Sequence, residues 1–273
     1  MASKKPPLTH FLCLPLITED SRPKLEKALE AFKEDVCLGH SNDTDHQALI
    51  HPKAIRPVGT LHFTLGVMSL KEDQLSRAID HLKKLDLVSL INSGDPDAAL
   101  SPTSTTLSTG LRGLESMHAP EKTSILYVAP SDAQNRLHPF CLALQKTFKE
   151  EGFLIEDDRE LKLHATVVNT IYAKGRKKPP SKAVTILSNG QVVSQTSNEP
   201  SEDRSAGHGP NANAPLKFDA RKILEQYCDH TWVDSVRLDR IAICEMGAKE
   251  ITNNEGEIVD ERYTEVASVG LPA

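Results

Sequence analysis

The sequence predicts an α+β or α/β protein built of two similar lobes, and three observations carry that prediction. Apolar residues switch repeatedly between a period of two and a helical period along the chain. The order strand–helix–strand occurs twice. Each occurrence contains a strand with the same His-x-Thr motif, once at His62 and once at His164. The 273 residues, 38% apolar and 26% charged, are enough for a sizeable core in one bilobal domain spanning 1–273.

The elements follow from local pattern. Thr9 to Leu16 (THFLCLPL) is β-prone, apolar and closed by a proline-marked exit, so it reads as the first strand. Arg22 to Val36 sets Leu25, Ala28, Leu29, Phe32 and Val36 on one helical face, with Ser21 as N-cap and Pro23 in the first turn. Gly39 to Pro57 is polar and reads as a loop. Its His40, His46 and His51 are expected in solvent, because neither H-E-x-x-H nor a Cys/His ligand spacing occurs.

Thr60 to Leu70 reads as a strand, and Asp73 to Leu85 as a helix with Leu75, Ala78, Ile79, Leu82 and Leu85 on one face. Leu87 to Ser116 is a Ser/Thr/Gly-rich excursion ending in a strand. Ser124 to Ala129 (SILYVA) is a buried strand, and Asn135 to Glu151 a helix closed by Gly152. Glu160 to Tyr172 is the next strand. A basic run, Lys174 to Lys182, and a Ser/Asn/Gly/Pro-rich stretch, 188–215, follow it, and the latter is expected to be a disordered insertion. Beyond it come a helix at Ala220 to Tyr227, a strand at Val236 to Glu245 and a last strand at Tyr263 to Val269.

Bulk properties restrict function. A formal charge of −6 argues against coating long nucleic acids by charge alone, which needs a broad basic face, but leaves room for a short RNA end or a nucleotide. Cys13, Cys37, Cys141, Cys228 and Cys244 form no C-x-x-C and mostly fall in apolar segments, so reduced, buried thiols in an intracellular protein are expected. Prolines interrupt the apolar stretch of the N-terminus, and no run approaches a membrane span, so the expectation is a cytoplasmic or nuclear protein without membrane contact.

The chemistry resides in Leu61-His62-Phe63-Thr64-Leu65 and Leu163-His164-Ala165-Thr166-Val167. Side chains alternate along a strand, so each copy puts an imidazole and a hydroxyl on one face and three apolar groups on the other. A bare His-x-Thr is expected about 0.7 times by chance in such a chain, the full apolar-framed pattern about 0.01 times, yet it occurs twice. One copy alone reads best as a core histidine beside a β-forming threonine; two copies in matching lobes do not. Two imidazoles with ordinary pKa values near 6.5 suit phosphodiester chemistry, since one takes a proton while the other gives one. Thr64 and Thr166 can donate to the non-bridging oxygens. His62 and His164 are therefore the candidate catalytic pair, Thr64 and Thr166 the candidate phosphate clamps, and neither metal nor cofactor is expected.

These motifs resemble those of the 2H phosphoesterase superfamily. THFLCLPL, LHFTLGVMSL, LHATVVNT, FDARKIL, RIAICEM and DERYTEVA are similar to the branch containing the A-kinase anchoring protein phosphoesterase domain and activating signal cointegrator 1 complex subunit 1. The resemblance runs from about Thr9 to Val269 apart from the loops. It implies an α+β fold of two pseudo-symmetric lobes whose sheets line a central groove, with one motif from each lobe. It also implies metal-independent cleavage or cyclisation at 2′-linked or 2′,3′-cyclic phosphates of RNA or oligonucleotides, with partners in a protein complex as a further expectation. The cointegrator subunit has a KH module ahead of this domain; only eight residues precede Thr9 here, so that tethering module is expected to be absent. Within the same groove, a silent nucleotide- or RNA-binding module is the alternative to an enzyme. Lys174, Arg176, Lys177, Lys178 and Lys182 could reach substrate phosphates, and Tyr172 could stack on a base, although a solvated loop and a strand-edge tyrosine are the simpler readings.

Overall fold

Two four-stranded antiparallel sheets carry the two motifs, one sheet each. The computed structural model describes residues 7–38, 50–92, 105–173 and 215–272. In chain order the elements are β1 (His10–Pro15), α1 (Arg22–Leu38), β2 (His62–Met68), α2 (Glu72–Lys84), α3 (Leu87–Asn92), β3 (Ser108–Ser116), β4 (Ile125–Ser131), α4 (Leu137–Glu150), β5 (Ala165–Asn169), α5 (Arg221–Gln226), β6 (Thr231–Arg237), β7 (Arg240–Glu245), β8 (Lys249–Thr252), β9 (Ile258–Arg262) and β10 (Glu265–Gly270). The first sheet runs β10-β7-β1-β2 and the second β5-β4-β3-β6, with β8 and β9 as a separate hairpin. This is the bilobal α+β architecture expected from the repeated motif. Both motif strands, β2 and β5, are sheet edges.

Alternation decides which way each motif strand faces. Phe63 and Leu65 of β2 are buried while His62 and Thr64 are partly exposed; Leu163, Ala165 and Val167 are buried while His164 and Thr166 are partly exposed. The buried sets join one continuous core, in which Leu12, Leu14, Phe63 and Leu65 of the first sheet and Leu126, Val128, Ala165 and Val167 of the second meet Phe32 of α1 and Phe140 and Phe148 of α4. On the other face of the first sheet a small cluster, Phe11, Cys13, Ala242 and Cys244, carries Tyr263 against it. The lobes are stitched where the motif strands come close. The Arg56 backbone N–H donates to the Val167 carbonyl at 2.8 Å, and Ile55 bridges Val168.

Several expectations are corrected. Val236 to Glu245 is not one strand: the chain breaks at Leu238–Asp239, where β6 of the second sheet gives way to β7 of the first. Buried apolar residues continue across the break, with Val236 and Leu238 before it and Ile241 after it, so they do not mark the change of sheet. The strand expected over Glu160 to Tyr172 is only Ala165–Asn169: residues 160–164, His164 among them, precede it, and Thr170–Tyr172 curls into a 3₁₀ turn in which the Ile171 N–H donates to the Asn169 side chain. The final strand starts at Glu265, leaving Tyr263 in the connection from β9. Ser21 does not cap α1 with its hydroxyl, which instead donates to the Leu16 carbonyl at 2.6 Å and accepts from the Thr18 N–H at 2.9 Å, tying the helix start to the end of β1. Cys228 is exposed and Cys37 only half-buried, against the expectation of buried thiols throughout. The strand ending the 87–116 excursion is β3; 93–104, the basic run, 188–214, His40 and His46 lie outside the described residues. No helix of the described residues is long and apolar enough to cross a membrane.

Candidate active site

The two histidines are held by the same device. His62 Nδ1 lies 2.7 Å from the carbonyl of Thr60, and His164 Nδ1 lies 2.7 Å from the carbonyl of Lys162, each two residues back. A carbonyl can only accept, so both rings carry their proton on Nδ1 and are left with Nε2 as the working nitrogen. At His62 that nitrogen accepts from the Thr64 hydroxyl at 3.0 Å.

The carbonyl that orients His62 is itself fixed. Val58–Thr60 is a 3₁₀ turn, and the Thr60 hydroxyl donates back to the Pro57 carbonyl at 2.7 Å. Asp260 of β9 clamps the turn from outside, accepting from the Gly59 N–H at 3.1 Å and from Arg22 at 2.8 Å. A methyl group at Gly59 would meet the Asp260 carboxylate and the Glu261 carbonyl at 2.5 Å, so only glycine permits this approach. Burial pushes the Asp260 carboxyl up, but Arg22, Arg262 and the Glu261 and Gly59 N–H groups together hold it below its usual range.

His62 sits between Phe11, at 4.9 Å between ring centroids, and the edge of Tyr263, at 5.1 Å. Desolvation lowers its pKa to about 4, partly opposed by the Thr60 hydrogen bond and reinforced by the His164 and Arg56 charges. The His164 and Arg56 contributions to this lowering are smaller than that of burial. Arg56, almost fully buried, places its guanidinium 3.8 Å from the centroid of the Tyr172 ring and 3.4 Å from Glu261. Tyr172 therefore has one ring face occupied by a cation. Burial first, then the neighbouring Tyr172, raises the Tyr263 hydroxyl to about 12.

The second lobe surrounds its histidine differently. Tyr127 meets His164 edge-on at 5.4 Å and donates its hydroxyl to Glu115, while the Lys162 ammonium lies 4.7 Å from the Tyr127 ring centroid and 3.4 Å from Glu115. Cross-strand pairing puts these groups on one face: Glu115 is opposite Tyr127, and Tyr127 opposite Thr166.

A cavity of about 410 Å³ opens beside His62, lined by Gly59, Thr60, Tyr263, Arg22 and the Arg240–Glu265 ion pair. Among the described residues no trio of His, Cys, Asp and Glu side chains is disposed to hold a metal ion. Of the four residues singled out by the repeated motif, His62 and Thr64 lie in β2, Thr166 in β5 and His164 immediately before β5, and all four are partly exposed. Sequence reasoning missed Arg56, which falls in a segment read as loop, and Tyr263, which was assigned to a strand. It also missed Lys162, which sits one alternation step before His164 and was legible from that spacing.

Residues 8–259 match the family described as the AKAP7 2′5′ RNA ligase-like domain. The chain is 27% identical over 179 residues to activating signal cointegrator 1 complex subunit 1 of Mus musculus, a match covering 63% of this chain and 45% of that protein. The chain thus spans less than half the length of this relative. It is 24% identical over 262 residues to an uncharacterized protein of Schizosaccharomyces pombe, covering 96% of this chain and 95% of that one. Among solved structures it is similar to E. coli LigT complexed with 3′-AMP, with TM-score 0.47, 11% identity and coverage of 98% and 99% of the two chains. Kluyveromyces marxianus Usb1 gives a TM-score of 0.39 at 12% identity, covering 97% and 98%.

Proposed function

The chain belongs to the AKAP7 2′5′ RNA ligase-like domain family of 2H phosphoesterases, and on that premise we propose that it is a phosphodiesterase acting on 2′,3′-cyclic or 2′-linked phosphodiesters of RNA or short oligonucleotides. The observation that supports this most is the matched setting of the two rings, each anchored through Nδ1 at 2.7 Å, which leaves Nε2 of each ring as its working nitrogen. For hydrolysis of a cyclic phosphate, His62, kept neutral by its surroundings, takes a proton from water as the water oxygen bonds to phosphorus. The bond from phosphorus to a ribose oxygen breaks, and His164 delivers a proton to that oxygen. The Thr64 hydroxyl turns from His62 to a non-bridging oxygen, and Thr166 offers its own from the opposite lobe. Proton transfer and oxyanion contacts are all assigned to side chains, so no step calls on a metal. Incubation with a panel of 2′,3′-cyclic, 2′,5′- and 3′,5′-linked oligonucleotides, followed by product analysis, tests the reading. Turnover confined to the 2′-linked or cyclic members is expected. Binding without turnover of any member would replace the enzyme by a nucleotide-binding module.

A further inference from the structure

The segment leading into the second motif strand carries a cation that its counterpart in the first lobe lacks. Along Leu161–Val167 the alternation puts Lys162, His164 and Thr166 on the accessible side and Leu163, Ala165 and Val167 in the core. In the first lobe the corresponding step before the histidine is Thr60, which is buried with its hydroxyl turned onto Pro57. Lys162 is different in kind: its side chain is 57% exposed, and its ammonium rests over Tyr127, the ring that also meets His164. Its only salt-bridge partner among the described residues is Glu115, at 3.4 Å and itself 50% exposed, so the pair can open at little cost. Two residues along an extended strand span about 6.6 Å, comparable with one phosphate-to-phosphate step of an extended oligonucleotide.

We propose that Lys162 binds a second phosphate, the one flanking the phosphodiester held between His62 and His164, and that Glu115 competes for it. This rests on the phosphodiesterase reading and narrows its substrates to those with two neighbouring phosphates. When such a substrate binds, the ammonium leaves Glu115 for the phosphate while Tyr127 keeps its contact with His164. The second phosphate can be an internal diester of an oligonucleotide or a terminal monoester, and the chemistry at Lys162 is shared.

The test compares three substrates: a mononucleoside 2′,3′-cyclic phosphate, the same compound with a 5′-phosphate, and a dinucleotide ending in a 2′,3′-cyclic phosphate. The ratio of kcat/KM for each two-phosphate substrate to that for the mononucleoside should fall about tenfold or more in Lys162→Ala, through KM, and recover in Lys162→Arg. Glu115→Gln should raise the same ratio. The slope of log affinity against log salt should lose about 0.7 in Lys162→Ala with the dinucleotide. A fall for only one of the two-phosphate substrates identifies which source is recognised and supports the proposal. Losses equal on all three substrates, or no loss, overturn it while leaving the phosphodiesterase reading intact. If none of the three is turned over but a 2′,5′-linked dinucleotide is cleaved, the same ratio is read on that dinucleotide with and without its 5′-phosphate; turnover of neither kind overturns both.

Discussion

His62 should be an unusually reluctant base in the free protein. Its folded pKa, about 4, lies below the ordinary 6.5, because desolvation, with the His164 and Arg56 charges behind it, outweighs the Thr60 hydrogen bond. Between those two values the unfolded chain binds a proton that the folded chain refuses, so stability falls as pH drops from neutrality towards 4 and levels off below it. The difference amounts to about 2 kcal/mol at pH 5 and approaches about 3 kcal/mol once both states are protonated. Urea unfolding of the native protein and of His62→Gln at pH 7.5 and pH 5 measures this directly: the native protein should lose about 2 kcal/mol more than the variant between the two pH values. An NMR titration of the His62 ring gives the value itself, and adding a nucleotide, whose phosphate favours the imidazolium, should raise it. A ring that titrates at or above 6.5 in the free protein, or a variant with undiminished pH dependence, would refute the reasoning.

Other outcomes follow from the same geometry. Gly59→Ala should destabilise the protein by about 1–3 kcal/mol and lower kcat, because the added methyl drives Asp260 and the Glu261 carbonyl away from the turn that orients His62; urea unfolding beside steady-state kinetics checks both. Thr64→Ala and Thr166→Ala should each cost at most about 2–4 kcal/mol in kcat/KM, since each removes one donor while proton transfer remains. Activity should survive chelator: turnover lost in EDTA and restored by one particular divalent ion would contradict the assignment of every step to side chains. The profile of kcat/KM against pH should be bell-shaped, with limbs belonging to the histidine pair rather than to either ring.

Much of this was legible in the sequence because strand alternation is a strong signal wherever one face is buried. Leu61, Phe63 and Leu65 against His62 and Thr64 fix both the strand and the side on which its chemistry lies, and the copy at His164 supplies the second lobe. Three things were hidden. The break at Leu238–Asp239 is a change of sheet with buried apolar residues on either side, Val236 and Leu238 before it and Ile241 after it. Arg56 is a buried cation in a segment whose composition says loop; its place is set by the Val167 hydrogen bond and the Tyr172 ring, more than a hundred residues away. Tyr263 reaches His62 from the far end of the chain, a proximity no local pattern encodes. Lys162, by contrast, was readable by counting back two residues from His164.

The central claim, that His62 and His164 act as one acid–base unit, is tested most directly by a double-mutant cycle in kcat/KM on whichever panel substrate the protein turns over. His62→Ala and His164→Ala should each lower the rate at least about 100-fold, and the double variant should lose far less than the product of the two, because removing either ring disables the pair. Either single variant retaining near-native rates across the pH range, or losses that multiply in full, would contradict the account.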